Sequence, residues 1–168
     1  DLHQCLYQAL DHHAADLHYH GFEFNGDKIP FYSGEKYLVL LNYTHDHPKG
    51  CAVCLSTSQT YNAVVVPQPE GDELTRRIVN VTVDTSAHPR VVSRVNLQDG
   101  ETFTVKTFYL VNLTKMFGVG HEPLTTDDPR VDEIVTYLSE HPEANKTGFV
   151  LMNSVSEFEA MMSNISDS

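Results

Sequence analysis

The sequence predicts a mainly β protein: an antiparallel β-sandwich of jelly-roll type with a helical C-terminal extension. Three observations carry this. Apolar residues alternate at a period of two through the middle of the chain, which is the period of a strand. Gly and Pro clusters cut that stretch into many short segments with no helical pattern between them, as in sandwiches and jelly rolls. A helical period takes over near the C-terminus. In this reading residues 1–20 are an N-terminal arm or docking segment, 21–117 the sandwich, and 118–168 a turn plus the helical extension.

The opening stretch mixes two patterns. Leu2, Leu6, Ala9 and Leu10 share a helical face, whereas Leu17 and Tyr19, then Phe22 and Phe24, alternate as in strands. A docking arm leading into a first strand reconciles them. From Glu35, residues Tyr37, Val39, Leu41 and Tyr43 fall on one face and Leu38 and Leu40 on the other, so this strand is covered on both sides and central. Cys51 to Leu55 and Tyr61 to Val66 are short strands bounded by Pro48-Lys49-Gly50 and Pro67-Gln68-Pro69-Glu70-Gly71. Ile78 to Val83 sets Val79, Val81 and Val83 against Asn80 and Thr82, a half-buried strand. Val91 to Val95 follows the His88-Pro89 break, and Asn96-Leu97-Gln98-Asp99-Gly100 turns the chain into a long strand from Thr102 to Leu113. Asp128 caps a helix with Pro129 at its first position. Val131, Ile134, Val135 and Leu138 recur at helical spacing until His141-Pro142. Ser154, with Glu157 three residues on, opens a second helix at capping-box spacing. Its stripe of Phe158, Met161, Met162 and Ile165 needs a partner, either the sandwich or another subunit.

The segment Asn112-Leu113-Thr114-Lys115-Met116-Phe117-Gly118-Val119-Gly120-His121-Glu122-Pro123 joins the long strand to the helices. Gly118 and Gly120 permit positive φ where the chain leaves the sheet, and Pro123 pushes Glu122 into an extended conformation. Met116 and Phe117 are expected to fold back as a plug over the open end of the sandwich core. The segment resembles the "(D/N)LT-x-MFG-x-G-x-EP" junction that closes a β-sandwich in structural proteins of tailed bacteriophages. Leu113, Met116, Phe117, Gly118, Gly120 and Pro123 stand at matching positions, while Val119 and His121 replace the small or amide residues more usual there. The likeness extends loosely over residues 31–148.

Bulk properties narrow the function classes. The chain has 168 residues, 40% hydrophobic and 20% charged, which suits one domain with a core, or one domain plus an arm. No apolar run approaches the ~20 residues of a membrane span, so a soluble chain without membrane insertion is expected. A net charge of -12 opposes binding to phosphate backbones, so no nucleic-acid partner is expected. The chain opens Asp1-Leu2-His3-Gln4, with neither an initiator Met nor a basic signal start, which suits a chain processed or excised from something longer. Three cysteines, Cys5, Cys51 and Cys54, do not make a complete disulfide framework. Cytoplasmic assembly with free thiols is the simpler reading. Sequons at Asn42, Asn80, Asn112, Asn145 and Asn164 also suit a secreted glycoprotein, but in a phage product made in bacteria they are inert.

Among candidate sites, His45-x-His47 followed by Cys51-x-x-Cys54 offers four ligands of the types zinc prefers. Against it, residues three apart on a strand point to opposite faces. A redox role for the two thiols lacks the helix N-terminus such dithiols use. No serine nucleophile turn, phosphate loop or metalloprotease motif is present. Asp127, Asp128, Asp132 and Glu133 cluster at a helix start, where they complement its dipole. A glycosidase would need two carboxylates facing across a cleft, and nothing in the spacing selects such a pair. Jelly-roll modules also resemble carbohydrate-binding modules, whose sugars dock on aromatic platforms. With no Trp, the platform candidates are Tyr32, Tyr43, Tyr61 and Tyr109, most of them expected to pack in the core.

The resemblance implies a non-enzymatic virion component of a tail, baseplate, fibre or capsid, assembled in the bacterial cytoplasm. Its expected partners are other virion proteins, copies of itself and a host-surface glycan. Leu2, Leu6 and Leu10, or the Phe158 to Ile165 stripe, are the expected self-association surfaces. The rival readings are a dedicated carbohydrate receptor-binding module and a zinc-stabilised structural protein.

Overall fold

A computed structural model describes residues 6–9, 21–46, 50–58, 60–95, 97–147 and 149–166. Its centre is the pair of ten-residue strands β4 (Lys36–His45) and β10 (Phe103–Asn112), which run antiparallel along their whole length. β7 (Thr75–Asn80) flanks β4, and β11 (Phe149–Met152) flanks β10, giving one four-stranded sheet. A second sheet orders β1 (Leu6–Ala9), β2 (Gly21–Asn25), β9 (Arg90–Ser93), β5 (Cys51–Cys54) and β6 (Ala63–Val66). β3 (Ile29–Phe31) and β8 (Thr85–Ala87) form a small ribbon. Among the described residues every pairing is antiparallel except β10 with β11. The chain is thus β-rich and mostly antiparallel, as its alternation predicts.

The two larger sheets face one another across a shared core. Tyr37, Val39, Leu41 and Tyr43 of β4 pack in one cluster with Phe24, Val53, Val66 and Val91 of the opposite sheet. Three rings bridge the layers: Phe24 lies 4.9 Å from Phe108 and 5.2 Å from Phe149, and these two are 5.1 Å apart. Such pairs add roughly 0.5–1.5 kcal/mol each beyond the area they bury. Close approach is also written into Gly21, where a Cβ would stand 2.6 Å from the Val91 carbonyl oxygen.

The even residues of β4, Leu38 and Leu40, point the other way. They join Tyr109, Val111, Val150 and Met152 under α2 (Pro129–Ser139) and α3 (Val155–Ser166), so helices form a third layer. Asp128 caps α2, accepting the Arg130 N–H at 2.9 Å, with Pro129 at the first position. The Ser154 hydroxyl accepts the Glu157 N–H at 3.1 Å ahead of α3. Both starts match the sequence reading. The α3 stripe is covered by this chain's own sheet, with Phe158, Met161 and Met162 buried and Ile165 partly so.

Three expectations need correction. The C-terminal extension is not purely helical, because Phe149 and Leu151 alternate into the inter-sheet core and Val150 and Met152 into the helical layer, which makes β11 a doubly buried strand. The N-terminal arm includes β1, paired with β2; the rest of the arm, with Leu2 and Leu10, lies outside the described residues. The strand read as Ile78 to Val83 runs from Thr75 to Asn80, and Val83 is exposed. Among the described residues, no helix is long and apolar enough to cross a membrane.

Candidate functional site

The chain leaves the sheet at Asn112, whose side chain is fully buried and hydrogen-bonded three ways. Its Oδ1 accepts the Lys115 N–H at 2.9 Å, capping α1 (Leu113–Phe117). Its Nδ2 donates to the Tyr37 hydroxyl at 2.9 Å and to Glu35 Oε2 at 3.1 Å, tying the corner to the start of β4. Thr114 repeats the device. Its hydroxyl accepts the Lys36 N–H at 3.0 Å and donates to Glu122 Oε2 at 2.8 Å. Glu122 closes the turn by accepting the Gly120 N–H on Oε1 at 2.8 Å. Its own backbone N–H, then the Thr114 hydroxyl, the Gly120 N–H and the Lys36 ammonium hold its carboxyl below the usual range, against burial that pushes it up.

The backbone explains the glycines. Gly118 adopts φ 95 and ψ 153, a region open essentially to glycine alone, and its N–H reaches Thr114 O at 2.8 Å. Gly120 has φ 82. Pro123 is buried behind Glu122. Met116 and Phe117 pack half-buried on the helical layer beside fully buried Leu113, not over the core between the sheets. The reason is parity: Tyr109, Val111 and Leu113 all point to the helix side, so the corner inherits that face. The Arg130 guanidinium sits 4.8 Å above the Phe117 ring, locking α2 to the corner.

The sequence-derived aromatic candidates separate. Tyr43 is core: 1% exposed, its hydroxyl donates to the Val66 carbonyl at 2.5 Å, and it offers no sugar platform. Burial, then neighbouring Cys51, pushes its phenol far above the usual range. Tyr109 is buried as well and donates to Asn145 Oδ1 at 2.6 Å; burial, then Glu143, raises its pKa to about 12. Tyr32 is 56% exposed and Tyr61 half-buried. Their neighbours meet on one loop, since Ser33 bonds to Thr82 and Asp84 while Asn62 bonds to Thr82 and Val83.

Among the described residues, the zinc candidates do not converge. Cys51 lies in the inter-sheet core and Cys54 on the outer face with Ala52 and Val92, as the three-residue spacing requires on a strand. His45 is buried with Nε2 2.6 Å from Ser93 Oγ and its ring 4.9 Å from Phe103. His47 lies outside the described residues. Both described thiols are free, and burial pushes each up, Cys51 to about 12, which leaves them protonated and poor as nucleophiles. Two sequon asparagines, Asn42 and Asn112, are buried with Nδ2 hydrogen-bonded, which leaves no room for a glycan on either.

Two recesses were not legible in the sequence, because each gathers residues from distant segments. One, of about 260 Å³, opens at the edge of the inter-sheet core between Phe24, Tyr37, Phe149 and Leu151, with Asp27, Lys28, Lys115 and Asn153 among its polar lining. The second, of about 330 Å³, is lined by Glu23, Lys28, Ser56, Thr57, Ala87, His88 and Arg90. Lys28 borders both. Comparison with protein-family models, with curated proteins and with solved structures finds no match.

Proposed function

We propose that this chain is a non-enzymatic structural module of a tailed-bacteriophage virion, a jelly-roll-type sandwich used for particle assembly or surface decoration, with host-glycan attachment as an added use. The observation that carries this reading is the corner from Asn112 to Glu122. The residues of the phage-like junction form an interlocked cap, turn and anchor between the last long strand and the helices, so the motif makes sense as scaffold rather than catalyst. Val119 within this corner and Leu124 just beyond it, 82% and 73% exposed, offer apolar contacts to other virion proteins or to further copies of the chain. Repetition in a particle turns weak contacts into firm attachment. The test is quantitative mass spectrometry of gradient-purified particles made by the genome that encodes the chain. A fixed, multiple copy number per particle supports the module; its absence from particles overturns it.

A second reading, a dedicated carbohydrate-binding module, is favoured by the two recesses sharing Lys28. A glycan array separates the two: selective binding supports the receptor module, and a blank array leaves the architectural one.

A further inference from the structure

The polar recess holds more unspent charge than a structural surface requires. Glu23 of β2 and Cys54 of β5 are both direct partners of Arg90 on β9, so the three form one row across the sheet. Phe24 and Val91, their chain neighbours, enter the inter-sheet core, which puts the row on the outer face. Lys28 arrives from the loop before β3, His88 from the β8–β9 corner, and Thr57 from the loop after β5.

Opposite charges directly across two strands ordinarily pair, for roughly 0.2–1 kcal/mol. Glu23 and Arg90 do not. Among the described residues, the side chains of Glu23, Lys28, His88 and Arg90 make no hydrogen bond or ion pair with one another. Arg90 Nε and His88 Nδ1 are buried with no hydrogen-bond partner and lie out of reach of a group in the recess, so what an outside ligand meets is the charge that lines it. A chain of net charge -12 that gathers Lys28, His88 and Arg90 in one recess, unpaired with the Glu23 carboxylate that shares it, is arranged for a charged group from outside.

We propose that this recess binds a saccharide unit carrying a single carboxylate. Arg90, whose planar fork matches a carboxylate, takes the charge with Lys28 and His88 beside it. Glu23 and the Thr57 hydroxyl take the sugar hydroxyls, and Glu23 also repels a phosphate dianion. The volume of about 330 Å³ falls at the small end of ligand sites, which run to ~300–1,000 Å³. The inference deepens the attachment reading and rests on it only for where the sugar comes from; binding itself needs no particle.

The experiment is a titration of the isotopically labelled full chain with sodium glucuronate and with N-acetylneuraminate, followed by amide chemical shifts, with glucose and inorganic phosphate as comparators. Saturable shifts at Glu23, Lys28, Thr57, His88 and Arg90 are expected with one or both acidic sugars, and binding about 10-fold or more weaker for glucose and phosphate. Arg90→Gln should weaken binding by a similar factor. Lys28→Gln, at an exposed loop position, should weaken it too and keeps the test valid if the Arg90 variant fails to fold. No saturable shift with either acid, equal binding of phosphate, or unchanged affinity in Lys28→Gln would overturn the proposal. Acid-sugar binding by a chain missing from particles would overturn only the virion reading.

Discussion

At the scale of single residues, the corner concentrates the account. Asn112 simultaneously caps α1 and fastens Tyr37 and Glu35, so Asn112→Ala should cost about 2–3 kcal/mol, one cap plus two buried bonds, measured by denaturant unfolding. Glu122 adds a pH signature. Its folded pKa is depressed below the ordinary 4.5, so its contribution is present above that value and lost as pH falls through the folded one. Glu122→Gln should therefore lower stability at neutral pH and flatten its decline in acid, which thermal melts across that range would reveal. Part of this was legible in the sequence. The positive φ of Gly118 and Gly120 follows from their type and setting, whereas the anchoring bonds of Asn112 and Thr114 reach Glu35, Tyr37 and Lys36 on the far side of the chain, 77 residues away for Glu35, which no local pattern announces.

At the scale of elements, alternation succeeded where a strand keeps one parity and failed where it does not. The faces of β4 follow directly from Tyr37 through Tyr43. On β10, Phe103 and Val105 face the inter-sheet core, yet so do Phe108 and Leu110, of opposite parity. The register against β4 shifts between Val105 and Thr107, so Lys106 is the extra residue of a bulge that resets the faces. Deleting Lys106 should turn either Phe103 and Val105 or Phe108 and Leu110 out of the core and abolish cooperative unfolding. A circular-dichroism melt as steep as that of the parent would refute this. β11 escaped notice because a four-residue apolar run reads equally as buried strand or helix. The capped starts of α2 and α3 were legible because capping is local.

At the scale of the whole molecule, two facing sheets under a helical layer leave the recesses at their margins as the places where ligand chemistry gathers. Cys51 and Cys54 face opposite sides of their sheet, so these two thiols do not share one ion. Treatment with a chelator should leave the unfolding midpoint unchanged, and a drop of several degrees would point to a bound ion. The recesses were illegible because sequence spacing says nothing about which distant loops meet. Cryo-electron microscopy of the intact particle would decide whether this chain is a repeated virion module, as proposed, fastened by its strand-to-helix corner. Density is expected for symmetry-related copies of the chain, each with the Asn112 to Glu122 corner folded as described and the Glu23–Arg90 recess open to the exterior. A particle without the chain, or one whose copies bury that recess against a neighbour, would contradict it.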